Sequence, residues 1–305
     1  LGRPGYLTLG HGADLAGDTA PEALAARAHE ILDLAYVRGV RYFDAARSYG
    51  LAEAFLASWL ETRRPAGVVV GSKWGYRYTA DWQAQAAVHE VKEHSLAHLN
   101  AQWRESYALL GANLKLYQIH SATPETGVLE NERVLERLAR LRAETGVRIG
   151  VSLSGPEQLA ALEAALGLRV AGERLFDTVQ ATYNALEPSV GPMLATARAN
   201  GMGVIVKEAL ANGRLTERNP DPAQRALLEG QARRLGARPD ALALAFVLRE
   251  PWADTVLSGA STTEQLESNL EALELALDEE ALGALGRLRE EPAAYWEARS
   301  RLAWS

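Results

Sequence analysis

The chain has 305 residues, a formal net charge of −7, 48% apolar residues and no cysteine. Without thiols there can be no disulfide framework, thiolate zinc site, iron–sulfur cluster or cysteine nucleophile, and the composition suits a reducing cytoplasm, where the protein is expected. No dense run of Lys and Arg appears, which argues against nucleic acid or an anionic membrane as a main partner.

The longest apolar runs, such as 241–248, fall far short of the roughly 20 residues that span a bilayer, and no stretch reads as a signal peptide. Short runs rich in Val, Ile, Leu and Tyr instead recur between longer helical stretches. In chain order, a strand at 6–9 precedes a helix at 22–38, which Pro21 opens and Gly39 ends. A strand at 40–44 leads to a helix at 51–62, and a strand at 68–71 to a long helix at 85–110. Strands at 114–119, 147–152 and 177–181 are followed by helices at 131–145, 157–165 and 189–200. A strand at 203–207 precedes two helices, 222–235 and 240–249, parted by Pro239. The last strand, 255–259, is followed by helices at 262–275 and 279–289. Near-continuous apolar strands suit a parallel sheet buried on both faces. Strand–helix pairs in this number predict a (β/α)8 TIM barrel, with residues 1–305 as a single domain carrying extra helices. A doubly wound sheet is the rival, but the early turn Gly10-His11-Gly12-Ala13-Asp14-Leu15 lacks the third glycine of a dinucleotide fingerprint.

In such a barrel, chemistry sits at the C-terminal ends of the strands. Asp44 ends the second strand, with Tyr49 just beyond it; Lys73 ends the third and His120 the fourth. Reducing a carbonyl requires hydride at carbon and a proton at oxygen. A phenol with a reference pKa of about 10 is a poor acid–base group near neutrality, and a neighbouring ammonium lowers that value. Lys73 can supply the charge, Asp44 can hold it in place, and His120 can orient the substrate oxygen.

These residues resemble the aldo-keto reductase family, and the resemblance covers nearly the whole chain. Phe43-Asp44-Ala45-Ala46-Arg47-Ser48-Tyr49-Gly50, with Glu53 in the next helix, is similar to its second-strand motif. Ser72-Lys73 and Ile119-His120 match the ends of its third and fourth strands. The resemblance implies a catalytic set of Asp44, Tyr49, Lys73 and His120, with Tyr49 as proton donor. It also implies a nicotinamide dinucleotide site that includes Gly10, Asp44, Ser152, Gln180, Lys207, Leu210, Gly259, Ser261, Gln265 and Asn269. Ser152 and Gln180 would hold the carboxamide; Ser261, Gln265 and Asn269 would hold the adenosine phosphate and adenine. The chain departs from the family at Leu153, usually Asn, at Ser268, usually Glu, and at Lys207, where an aromatic usually stacks on nicotinamide. The cofactor expected is NADPH/NADP+, with NADH as the alternative; no basic residue lies in 259–269, so Arg214 and Arg218 are candidate donors to a 2′-phosphate.

Trp74 and Tyr76, in the aromatic stretch 74–82, are expected outside any helical or strand period and form a candidate substrate wall. Trp296 joins them, because the resemblance implies that the C-terminal tail folds over the barrel mouth. His89, His94 and His98 are expected on one outer helix as a solvated polar face, and no metal site is predicted. Arg47 is expected to pair with a surface carboxylate such as Glu53. The partner is a small carbonyl or alcohol compound, reduced or oxidised reversibly. The alternative is a nicotinamide-binding regulatory subunit with little turnover; a barrel hydrolase or isomerase without nicotinamide is a third reading.

Overall fold

A computed structural model describes residues 11–15, 17–83 and 86–302. Gly17–Val179 forms one compact unit; Gln180 onward forms another, together with the stretch that holds a single helical turn, α1 (His11–Asp14). The expected strand at 6–9 and Gly10 lie outside the described residues.

In the first unit, α2 (Pro21–Val37) opens on a proline, whose missing N–H would be unpaired there in any case, and stops before Gly39 at φ +94°. It is followed by β1 (Tyr42–Asp44), α3 (Ala52–Arg63), β2 (Val69–Trp74), β3 (Tyr76–Tyr78), β4 (Glu90–Lys92) and α4 (Leu96–Leu110). Then come β5 (Leu114–Ala122), α5 (Glu132–Thr145), β6 (Arg148–Leu153) and α6 (Gln158–Gly167). Strands β1, β2, β5 and β6 are parallel neighbours in that order. Their register sets Asp44 beside Gly71 and Lys73 beside Gln118, so the polar strand ends fall at one edge. Strand β5 is buried at every position except Lys115, as a parallel strand covered on both faces should be. Phe43, Val70, Ile119 and Val151 from the strands, with Trp59, Leu99, Leu138 and Leu162 from the helices, are buried in its core. A short antiparallel pair, β7 (Arg169–Val170) and β8 (Glu173–Arg174), follows α6, and β9 (Thr178–Thr182) runs across the division between the units.

The long helix expected at 85–110 is corrected. It begins only at Leu96, where the Ser95 hydroxyl accepts from His98 N–H as the N-cap. Upstream, β4 pairs antiparallel with β3, Tyr76 facing Lys92 and Tyr78 facing Glu90. Val88 and Val91 are exposed, so the apolar signal in this stretch is a hairpin's outer face and not a buried helical stripe. The aromatics Trp74, Tyr76 and Tyr78 therefore stand on strands, against expectation.

In the second unit, α7 (Gly191–Ala199) and β10 (Gly203–Lys207) precede α8 (Pro222–Arg234), α9 (Pro239–Leu248) and β11 (Thr255–Val256). Strands β10 and β11 are parallel, Ile205 beside Thr255. Pro239 opens α9 instead of merely separating two helices, and β11 is shorter than the 255–259 expected. Next are α10 (Thr263–Glu271), α11 (Glu279–Gly286) and α12 (Pro292–Ser300), the last a helix that the sequence pattern did not signal.

Gly71 on β2 has a specific steric reason. The Tyr42 phenol occupies the space a Cβ would need there, and its hydroxyl donates to Asp44 Oδ2 at 2.9 Å. Gly71→Ala is expected to lower stability by about 1–3 kcal/mol, the usual cost of overpacking a close-packed core. Urea denaturation beside the parent chain measures it, and an unchanged midpoint would contradict the close approach.

Candidate active site

The four side chains expected at the strand ends come together in the first unit. Lys73, 1% exposed, forms an ion pair with Asp44 and donates to the Ala45 carbonyl at 2.8 Å. Asp44 also accepts from Tyr42 and, at 3.3 Å, from Gln118 Nε2. The carboxylate thus meets an ammonium and neutral donors, the pattern a buried ion needs if desolvation is to be offset. Burial, with the adjacent Asp44 carboxylate, pushes the Tyr42 phenol far above its ordinary pKa, so it remains a neutral donor. The Lys73 ammonium lies 5.3 Å from the Tyr49 ring centroid, and the Tyr49 hydroxyl is 3.4 Å from His120 Nε2. The two rings meet edge to face, with centroids 5.5 Å apart.

A second buried carboxylate supports this set. Glu53, 1% exposed, pairs with Arg47 and accepts from Ser72 Oγ at 2.5 Å and Ser106 Oγ at 2.7 Å. Arg47 lies two residues before Tyr49, and Ser72 immediately precedes Lys73. Arg47 does pair with Glu53, as expected, but Glu53 is a core residue and not a surface one.

The histidines correct a further expectation. His89 is 6% exposed and His98 has 11% of its side chain exposed, so these residues are no solvated face, and His94 precedes the helix. His94 Nε2 lies 3.0 Å from the His120 carbonyl. A carbonyl can only accept, so Nε2 carries the hydrogen. Burial pushes His94 down to about 4, which keeps it neutral near pH 7. Among the described residues there is no cluster of His, Asp and Glu suited to a metal.

Trp74 is fully buried, edge-on to His94 at 5.5 Å. Tyr76 packs edge-on to His120, with centroids 4.9 Å apart. Gln102 on α4 holds the turn between them, accepting from Gly75 N–H at 2.9 Å and donating to the Tyr76 carbonyl at 2.8 Å. Lys92 Nζ lies 5.3 Å from the Tyr76 centroid and donates to the Ser121 carbonyl at 3.0 Å. Sequence reasoning missed His94 as a neighbour of His120, and Gln102 and Lys92 as neighbours of Tyr76, because the expected helix placed 89–98 on an outer surface. The Ser95 cap was the signal that could have moved the helix start.

The expected cofactor residues divide between the units. In the first, Ser152 is buried, and its hydroxyl has no hydrogen-bond partner among the described residues; Leu153, where the family carries Asn, is fully buried. In the second, Gln180 is buried and Leu210 half-buried, while Gly259 is exposed with open space around it. Lys207 Nζ lies 3.7 Å from Glu208 Oε1. Burial would raise the Glu208 pKa, but Lys207 and Arg299 overcome it and hold the carboxylate at about 2.

Ser261 N–H donates to Gln265 Oε1 at 2.8 Å, and Ser261 Oγ is 3.1 Å from Asp14 Oδ2. Arg218 Nη1 donates to the same oxygen at 2.8 Å. Burial would raise the pKa of Asp14, but its hydrogen bonds, with Arg218's foremost, lower it on balance. The donor set around Ser261 therefore already holds an anion. Arg214 pairs instead with Glu290, so its charge is committed elsewhere. Asn269 donates to Ser258 Oγ at 2.8 Å, and its buried Oδ1 has no partner among the described residues. Trp296 is buried on α12 beneath the Arg299 guanidinium. Each unit taken by itself, the unpartnered Ser152 hydroxyl of the first suits an amide, and the unpartnered Asn269 oxygen and anion-holding donors at Ser261 of the second suit an adenine and a phosphate.

A sequence model of the aldo/keto reductase family matches residues 8–290. The chain is 27% identical to the uncharacterized oxidoreductase YrpG of Bacillus subtilis, over 91% of this chain and 90% of that protein. It is 26% identical to Protein tas of Escherichia coli, over 91% and 92%. Among solved structures, the holo form of the aldo-keto reductase AKR11C1 from Bacillus halodurans is similar, with TM-score 0.71 and 22% identity over 88% of each chain. These likenesses establish the fold, a (β/α)8 barrel.

The His94 contact has a consequence for stability. Its folded pKa lies below the unfolded value of about 6.5, so the unfolded chain binds the extra proton first. The stabilisation is complete above pH 6.5 and is lost as pH falls toward 4, with an upper bound of about 3 kcal/mol. His94→Gln keeps an N–H donor without a titrating ring and is expected to flatten this part of the stability–pH curve. Urea midpoints at pH 7 and pH 5 for both proteins test this; equal slopes would refute it.

Proposed function

The chain belongs to the aldo/keto reductase family, and on that premise we propose that it reversibly reduces an aldehyde or ketone to the alcohol, with NADPH as cofactor and Tyr49 as proton donor. The observation that carries this reading is the Tyr49 phenol, 3.4 Å from His120 Nε2, beside the buried Lys73–Asp44 pair. NADPH, when bound, supplies the hydride for the carbonyl carbon. Tyr49 delivers its proton to the carbonyl oxygen, and the Lys73 ammonium stabilises the phenolate left behind. Asp44 pairs with Lys73 and holds it in position. His120 directs a hydrogen bond at the same oxygen and selects its orientation.

Ser152 and Gln180 are the proposed carboxamide ligands. Ser261, Gln265 and Asn269 are proposed for the adenosine end. Arg218 is the proposed partner of the 2′-phosphate, which would replace Asp14 as its anion. A second reading, a regulatory nicotinamide-binding subunit with little turnover, is favoured by one observation. Lys207, where the family places a stacking aromatic, directs its ammonium to Glu208.

Tyr49→Phe is expected to lower carbonyl reduction about 10²–10⁴-fold while NADPH affinity stays within a few-fold, since general acid catalysis contributes about that much. Equal turnover by both proteins would remove Tyr49 from the mechanism, and negligible turnover by the parent chain would favour the regulatory reading. Tryptophan-fluorescence titration is expected to give tighter binding of NADPH than NADH, and Arg218→Ala to erase most of that difference. Tighter NADH binding by the parent chain would overturn the 2′-phosphate assignment.

A further inference from the structure

Lys92 belongs to none of the groups assigned so far, yet one aromatic ring separates its ammonium from His120. It faces Tyr76 across the β3–β4 hairpin, and Tyr76 in turn packs edge-on to His120. The hairpin is fixed at this end by Glu93 N–H, which donates to the Gly75 carbonyl at 2.8 Å, and by Gln102. Ser121, directly after His120, adopts φ +54°, a left-handed conformation uncommon for a residue with a side chain. The register of β5 against β6 also shifts between Ile119 and Ala122. The Ser121 carbonyl accepts from Lys92 Nζ at 3.0 Å and is its one hydrogen-bond acceptor among the described residues. Such locally strained backbone clusters at functional sites.

We propose that Lys92 is a specificity-determining residue, whose ammonium receives the carboxylate of a monoanionic carbonyl substrate, an oxo-acid, while the carbonyl lies at Tyr49 and His120. The inference rests on the reductase reading and adds the substrate class to it.

The other lysines with little exposure end on carboxylates, Lys73 on Asp44 and Lys207 on Glu208, as does Arg47 on Glu53. A half-buried ammonium with a purely structural role would be expected to do the same. Lys92 meets one neutral carbonyl and the face of one ring, which leaves N–H donors for a ligand. Burial pushes its pKa down, while Glu125 and Glu90 act in the opposite direction. Those carboxylates also limit the charge of the ligand. A phosphate dianion would meet two negative fields against one positive charge, whereas a carboxylate is matched singly. With a net charge of −7 the protein provides no general attraction for anions, so a placed donor is required. Tyr76, half-buried beside His120, offers apolar surface to the body of the substrate, whereas Trp74 is fully buried behind it against His94.

Calorimetric titration of the full chain with 4-formylbenzoate and with its methyl ester tests the proposal. The two share ring and aldehyde and differ by one charge; NADP+ is present so that no reduction occurs. The parent chain is expected to bind the acid at least about tenfold more tightly than the ester, as a partly desolvated charge-assisted contact would give. In Lys92→Met that ratio is expected to fall to near one, and in Lys92→Arg most of it should remain. Circular dichroism and melting curves verify that both variants fold. Equal affinities in the parent chain, a ratio that survives Lys92→Met, or a parallel loss of both ligands in the two variants would overturn the proposal. If the ratio behaves as expected but NADPH-dependent reduction of 4-formylbenzoate is absent, the reductase reading fails and the Lys92 site stands.

Discussion

The ion pair between Lys73 and Asp44 is the constraint to which the rest of the first unit is fitted. An ammonium this deeply buried costs several kcal/mol in desolvation unless it is paired and hydrogen-bonded. The surrounding residues meet that requirement one by one. Asp44 supplies the opposite charge, the Ala45 carbonyl a second acceptor, and Tyr42 with Gln118 hydrogen bonds to the carboxylate. Gly71 lacks a side chain because the Tyr42 ring fills its place. A glycine on β2 thus determines where a phenol on β1 can lie, and through it the carboxylate that anchors the lysine.

The same logic repeats one layer below with Glu53. Its carboxylate draws together the loop before Tyr49, through Arg47, and the strand before Lys73, through Ser72. Neither contact involves the side chains of Tyr49 or Lys73. Each restricts the backbone that presents them, which is how a supporting layer narrows the positions open to an acid and its neighbouring charge. His94 and Gln102 do the equivalent for His120 and the Tyr76 turn, with neutral groups in place of charged ones. In that set Lys92 is the exception, an ammonium with no carboxylate in contact among the described residues, which is why it stands out as a proposed ligand group.

The second unit distributes charge differently. Glu208, with φ +55°, is held by both Lys207 and Arg299. Lys207 is thereby engaged within its own unit, and its departure from the family pattern comes with a local partner. Asp14 gathers Arg218, Ser261 and Gln265 into a group of donors around one anion. Charge that the sequence scatters over more than two hundred positions is here collected at one carboxylate.

What could be read from the chain alone was whatever depends on local order. Short apolar runs with Asp44, Lys73 and His120 at their ends named the strands, though β2 runs on to Trp74 and β5 to Ala122, because strand burial and side-chain type are written in consecutive residues. Helices with strong boundaries, such as α2 between Pro21 and Gly39, were placed to within a residue or two for the same reason. The reading failed at 85–95, where alternating Val and charged residues fit a helix or a hairpin equally and only pairing with 76–78 decides between them. That error hid His94, Gln102 and Lys92. It could not show Glu53 to be buried, nor Arg214 committed to Glu290 and Arg218 to Asp14, since a charge's partner is chosen by distance in space. The sequence by itself determined which candidate groups exist and which strands bear them. Tertiary structure alone decided which charges neutralise one another and which stay available to a ligand, because burial makes an unpaired charge costly and only the folded chain sets what is buried beside what.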